Sequence, residues 1–291
     1  MGSARAGAAR LPAVVVPALR CSVCADGLAV SGGALRCPRR HTFDIARQGY
    51  VNLLHAKVPA GTADTAEMVA ARAAFLAAGH YAPLAELLAA RAAELADSGL
   101  VVDAGAGTGY HLARVLDALP AAAGIALDVS AVALRRAAGA HPRIGAAVWN
   151  LWREWPIGTG VADLVLNVFA PRNATEFHRV LRPGGALLVV SPGPGHLAEL
   201  AGTLGLLAVE RDKEERLDAG LAGSFTLVDR ANRELALTLT VDEARALVRM
   251  GPNAHHLDRD GLADRLAALA GPVAVTASFV LSTYRPRKAR A

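Results

Sequence analysis

The stretch Leu100-Val-Val-Asp-Ala-Gly-Ala-Gly-Thr-Gly-Tyr-His-Leu-Ala-Arg-Val-Leu116, LVVDAGAGTGYHLARVL, joins a short apolar run to three glycines and then to a helical pattern. It predicts a buried strand ending at Asp103, a turn, and a helix. Glycine lets a backbone pass close under a ligand at the carboxyl end of a strand. Asp128 follows Gly109 by nineteen residues at the end of the next apolar segment, where a carboxylate accepts hydrogen bonds from ribose hydroxyls. A dinucleotide loop leaves two residues before its third glycine, so that a helix N-terminus faces a pyrophosphate. Here the glycines are Gly105, Gly107 and Gly109, a G-x-G-x-G spacing that favours S-adenosylmethionine, which has no phosphate.

Outward from this loop, GIALDVS (124–130), ADLVLNVFAP (162–171) and GALLVVSPGP (185–194) predict further buried parallel strands. AVALRRAAG (131–139) and ATEFHRVL (174–181) predict intervening helices, and the sheet closes with strands near 235–241 and 273–284. The fold class is therefore α/β, a doubly wound Rossmann-like sheet of the class I S-adenosylmethionine-dependent methyltransferase kind, with a small N-terminal zinc-binding domain. Residues 66–95 predict two helices broken at GHYAP, and VPAGTADT before them reads as a linker with Thr62, Asp64 or Thr65 available as a cap. The expected divisions are an N-terminal tail at 1–20, a zinc-binding RNA-recognition domain at 21–57, a helical linker at 58–98 and a methyltransferase domain at 99–291.

Cys21-Ser-Val-Cys24 and Cys37-Pro-Arg-Arg-His41 form two short knuckles, separated by a segment with Gly32-Gly33 at the turn of a predicted hairpin. Four soft or borderline ligands at this spacing suit a tetrahedral, structural zinc. All three cysteines of the chain lie here, which fits metal ligation in a reducing compartment. No apolar run reaches the ~20 residues of a membrane span, and LPAVVVPALRC lacks a small-x-small cleavage pattern, so a cytoplasmic location is expected. Within residues 1–60 eight cations stand against Asp26 and Asp44, a surplus above the whole chain's +5. A basic head on a near-neutral body suits a polyanion such as RNA. Asn167 and Phe169, at the carboxyl end of the strand predicted in ADLVLNVFAP, are candidates for the edge and face of a base, and His196 lies in the turn-rich loop after the next strand.

The chain from about Arg20 onward resembles the bacterial 23S rRNA guanine-N1 methyltransferases that carry a zinc-binding N-terminal domain. The resemblance lies in CPRRHTFDIARQGYVNLL (37–54), RAAFLAAGHYAPL (72–84), LDVS (127–130), NVFAPRN (167–173) and SPGPGHLAEL (191–200). ADTAEMVAARAAFLAAGHYAPL and MGPNAHH bring it closer to the tylosin-resistance branch. That branch methylates a guanine in a domain II hairpin of 23S rRNA at the peptide exit tunnel, which impedes macrolide binding. The resemblance implies zinc at Cys21, Cys24, Cys37 and His41. It also implies the methyl donor against Tyr81, Gly107, Thr108 and His196, beside Asp103, Gly105, Gly109 and Asp128. The other branch carries Cys and Glu where this chain has Ala106 and Thr108.

On this reading Arg39, Arg40 and Arg47 contact phosphates from a rigid metal platform, and Asn167 and Phe169 position the base. A homodimer is an open expectation. Two other classes compete: a methyltransferase of a small natural product, which would not need residues 1–56 for turnover, and a non-catalytic RNA-binding protein, which would not bind S-adenosylmethionine.

Overall fold

The computed structural model describes residues 11–54, 63–205, 213–251, 254 and 261–287. Most of MGPNAHH, Thr62 and the linker residues before it lie outside the described residues. A 3-10 helix, Ala13–Ala18, precedes three short strands, β1 (Ala29–Ser31), β2 (Ala34–Arg36) and β3 (Thr42–Asp44), and then β4 (Tyr50–Asn52). Helices α1 (Ala66–Ala77) and α2 (Ala82–Leu95) follow. The α/β alternation runs β5 (Ser98–Ala104), α3 (Tyr110–Ala118), β6 (Ala121–Asp128), α4 (Ala131–Ala140), β7 (Ile144–Val148), β8 (Ala162–Val168), α5 (Ala174–Val180) and β9 (Leu181–Pro192). The last elements are α6 (Ala198–Leu204), α7 (Lys213–Leu221), β10 (Phe225–Leu239), α8 (Val241–Arg249), α9 (Leu262–Ala267) and β11 (Val273–Pro286).

Eight strands form one sheet in the order β10-β11-β9-β8-β5-β6-β7-β4. The strands from β9 to β4 pair in parallel, and β11 pairs antiparallel with both β9 and β10. Alternate residues bury on opposite faces: Val101, Ala126 and Leu164 join one apolar cluster, Val102, Ile125 and Val165 the other. Helices α1 and α2 are bent by 82° at their break, and no single described helix is long and apolar enough to cross a membrane. Their apolar faces, with Phe75, Leu84, Leu88 and Ala92, are buried on the sheet. Thr65 is the cap of α1, its hydroxyl accepting from the Met68 N–H at 3.2 Å.

Three segments outside the alternating core pack closely against it. Residues 11–20, assigned to a tail, pack Leu11, Val15, Val16 and Leu19 into the core, and Leu19 bridges to Ile157. Val15 lies so close to Gly145 that a Cβ there would meet its Cγ2 at 2.5 Å. The described part of the helical linker at 58–98 is a core layer of the catalytic domain. Finally, β4 leaves the metal-binding module and becomes an edge strand of the large sheet, with Val51 opposite Ala147. The sequence reading also lacks β7, whose IGAAV is short and contains glycine and alanine. It starts β10 ten residues late, because that strand lies at the sheet edge and carries charged residues on its open face.

Removing residues 1–54 should therefore expose the β7 edge and the apolar surface beneath the 3-10 helix. The expected outcome in scanning calorimetry is a Tm lower by roughly 10 °C or more, because several fully buried side chains are lost at once. An unchanged Tm would show an independent appendage instead.

Candidate active site

The glycine loop hangs from the end of β6. Gly105 and Ala106 both donate to the Leu127 carbonyl, at 2.9 and 3.0 Å. The Asp128 carboxylate accepts from Gly107 N–H and from Ser130 N–H, each at 2.9 Å. A Cβ at Gly105 would meet the Ala170 Cβ at 2.3 Å, and one at Gly109 would meet Ala137 Cα at 2.9 Å. All three glycines have positive φ, but a Cβ at Gly107 would make only an ordinary contact, 3.5 Å from the end of the Arg72 side chain. Thus Gly105 and Gly109 serve close packing, and Gly107 presents bare backbone to a ligand.

The cleft beside this loop has a volume of about 430 Å³, in the range of small-molecule sites. Asp103, Thr108, Tyr81 and Asp128 line it, as do Val168 and Phe169 from the far side. Asp103 is buried, and its Oδ1 has no hydrogen-bond partner among the described residues. Burial first, and the nearby Asp128 charge second, push its carboxyl up to about 8. Burial likewise raises Asp128, against the pull of its two backbone N–H donors. A buried acid with a bare oxygen and a half-buried one beside it form a receptor for a cation, so the donor set fits the ammonium of S-adenosylmethionine.

Several wall residues carry no signal in the sequence reading. His111, in the first turn of α3, lines the cleft, and burial holds its imidazole down at about 4. Arg72 pairs with Asp64 and donates to the Met250 carbonyl at 2.6 Å, tying α1 to the end of α8 over Gly107. Phe279 is the largest omission. Its buried ring meets Tyr81 at 4.9 Å, His196 at 5.1 Å and Phe169 at 5.8 Å. Three candidates from distant parts of the chain converge on one β11 side chain, which sequence patterning marks only as strand core.

Two candidates change role. His196 does not line the cleft but packs behind it on Phe279, because the loop is pinned to β11 by Gly193 N–H to Ser278 O and Leu197 N–H to Thr276 O. Asn167 is fully buried, and its amide donates to Ala104 O at 3.2 Å and Pro171 O at 2.9 Å. These two bonds brace the loop after β8, while its Oδ1 has no hydrogen-bond partner among the described residues. Phe169 lines the cleft, is 42% exposed there, and has a left-handed backbone at φ +53°.

The four zinc candidates come together, with their ligand atoms all within 4.8 Å of one another. Cys24 Sγ lies 3.7 Å from Cys37 Sγ, and His41 Nδ1 lies 3.3 and 3.5 Å from the Cys37 and Cys21 sulfurs. Two thiolates bound tetrahedrally to zinc at ~2.3 Å stand about 3.8 Å apart, so the cluster fits that ion. The Gly32-Gly33 turn of the hairpin forms as expected, with φ of +58° and +82°. Arg39, Arg40 and Arg47 are all exposed on this module; Arg39 Nε pairs with Asp26 at 3.0 Å, a surface contact of small energy. Tyr50 turns the other way and packs on the catalytic core.

A family model described as RlmA, N-terminal, a zinc ribbon, matches residues 19–58, and one described as methyltransferase domain matches residues 101–185. A Streptomyces fradiae protein named 23S rRNA (guanine(748)-N(1))-methyltransferase is 51% identical over 275 residues, covering 94% of this chain and 98% of its own. A Micromonospora griseorubida protein, provisionally named a 23S rRNA (guanine-N(1)-)-methyltransferase, is 51% identical over 291 residues with the same coverage. Among solved structures, the YcgJ protein from Bacillus subtilis overlays with a TM-score of 0.49 at 14% identity, over 70% of this chain and 99% of its own.

Elemental analysis should find one zinc per chain. Cys37→Ser should lose it and lower the Tm, since the metal fixes the knuckle whose Ser22 hydroxyl donates to Leu53 O beside β4. A Cys37→Ser protein that keeps full zinc would contradict the assigned ligand set.

Proposed function

We propose a function from one premise: the chain belongs to the family of 23S rRNA guanine-N1 methyltransferases that carry an N-terminal zinc ribbon. It uses S-adenosylmethionine as methyl donor and holds a structural zinc on three cysteines and a histidine. Its target is N1 of the guanine that corresponds to position 748 of 23S rRNA. The observation that carries this is 51% identity along 94% of the chain to the Streptomyces fradiae enzyme. Methylation there would serve macrolide resistance, and a ribosomal substrate agrees with a cytoplasmic location. The homodimer expectation has no support in the relatives.

Bound S-adenosylmethionine supplies a sulfonium methyl that is already electrophilic. The protein's task is alignment of N1 with that methyl in a site that excludes bulk water. As the N–C bond forms the S–C pair returns to sulfur, and the proton on N1 leaves to a nearby acceptor or to water after the transfer. Asp103 would take the ammonium of the donor, and Asp128 the ribose hydroxyls, using lone pairs beyond those held by Gly107 and Ser130. Phe169 would face the guanine ring. Since N1 lies on the Watson–Crick edge, the target base must be unpaired or flipped before it reaches the cleft. Arg39, Arg40 and Arg47 would meet phosphates and orient the hairpin without reading its sequence. Loss of activity on deleting residues 1–56 does not identify an RNA substrate, because that deletion also strips β4 from the catalytic sheet.

Primer extension on 23S rRNA from cells with and without this protein should show one new stop at the guanine equivalent to 748, because the N1 methyl blocks pairing. No new stop would refute the assignment. The donor should also bind in a pH-dependent way. With its carboxyl raised to about 8, Asp103 is mostly protonated at pH 6 and must lose that proton to pair with a cation. Affinity for S-adenosylmethionine should therefore strengthen as pH rises toward 8, by up to about tenfold per unit, with proton release in calorimetry. Asp103→Asn should weaken binding and flatten the profile. A wild-type Kd that is constant from pH 6 to pH 8 would contradict the role.

A further inference from the structure

The loop between β7 and β8 stands between two hollows. Asn150, Leu151 and Trp152 line the cofactor cleft. Trp149 and Glu154–Thr159 line a second hollow, whose opposite wall is the zinc knuckle Cys21–Ala25. The loop backbone is braced throughout. Trp152 N–H donates to Asn150 Oδ1 at 3.0 Å, Leu151 O accepts from Trp155 Nε1 and from Asn173 Nδ2, and Trp155 N–H donates to the buried Glu176 carboxylate at 2.6 Å. Trp149 and Trp155 are 6% and 2% exposed, but Trp152 is 65% exposed. Among the described residues Trp152 and Phe169 are the exposed aromatic side chains, and both stand on the cleft. Arg153, also exposed, makes no ion pair among the described residues.

We propose that Trp152 and Arg153 form an RNA-contacting crest between the zinc module and the cleft. The Trp152 indole stacks on an unpaired base next to the nucleotide that enters the cleft, and Arg153 meets the adjoining phosphate. A large apolar ring held open to water on a rigid loop is a stacking platform, and an unpaired guanidinium beside it matches the backbone of the same strand. The contact rests on the rRNA methyltransferase reading and makes Trp152 a positioning residue for the substrate.

The test uses the zinc-loaded full chain and a hairpin RNA carrying the target guanine. Addition of RNA should quench tryptophan fluorescence in the wild type and not in Trp152→Phe, which should keep most of its RNA affinity. Trp152→Ala should raise the KM for RNA by about ten- to a hundredfold with kcat little changed. Arg153→Ala should lower the slope of log affinity against log salt by about one. Because the indole stands on the cofactor cleft, the Kd for S-adenosylmethionine without RNA is measured in Trp152→Ala as well, to separate a base contact from a contact with the donor. An unchanged RNA KM in Trp152→Ala overturns the proposal, and so does weakened binding of S-adenosylmethionine alone, which would make the indole a cover for the donor. A wild type that leaves the hairpin unmethylated refutes the enzyme reading, and the crest with it, before any variant is compared.

Discussion

The parallel pairing of three residues, Tyr50–Asn52, with Ala146–Val148 makes this chain one body. An exposed parallel edge on β7 would present unpaired backbone groups and invite association, and β4 closes it. Val51 and Leu53 are fully buried by the same contact, each worth ~1.5–3 kcal/mol on area grounds. The pairing also sets where the metal module can lie. Ser22, between the first two metal ligands, is bonded to Leu53 O at 2.6 Å, and Leu53 N–H reaches Val148 O. The Trp149 N–H that follows is bonded to Asp128 O at 2.8 Å. The metal knuckle and the acid of the cofactor cleft are thus linked through one side-chain hydrogen bond, from Ser22, and two backbone hydrogen bonds that follow it.

The cleft itself is under electrostatic tension. Asp103 is raised by its burial and then by the Asp128 charge, and the half-buried Asp128 by desolvation and, less, by the Asp64 charge. Asp128 is relieved by two backbone N–H groups, whereas the Asp103 Oδ1 has no such donor. A cation that enters removes the cost for both acids. The arrangement explains why a site for a positively charged donor needs so few polar contacts, with apolar side chains such as Val168 and Phe169 forming the opposite wall.

Features carried by neighbours in sequence were legible in advance. The G-x-G-x-G turn, the four metal ligands, the Gly32-Gly33 hairpin and the helix break at GHYAP are each specified within a few residues, where chain geometry leaves little choice. Phe279 was not legible, because its function is to be the surface on which Tyr81, Phe169 and His196 meet. Asn167 is a related case. A polar residue at a strand end suits both a ligand contact and a loop strut, and the Ala104 and Pro171 carbonyls that its amide reaches are brought to it only by the folded chain.

By itself the sequence determined the α/β alternation, the cofactor loop and the metal ligand set, since each depends on dihedral preference, hydrophobic period or ligand spacing along a short segment. The tertiary structure alone decided that the first twenty residues end in core packing and that the metal module lends a strand to the catalytic sheet. It alone brought Trp152 and Phe169 to one cleft. Those outcomes depend on contacts between segments up to about a hundred and forty residues apart, and no local pattern encodes which distant surface a short apolar stretch will cover.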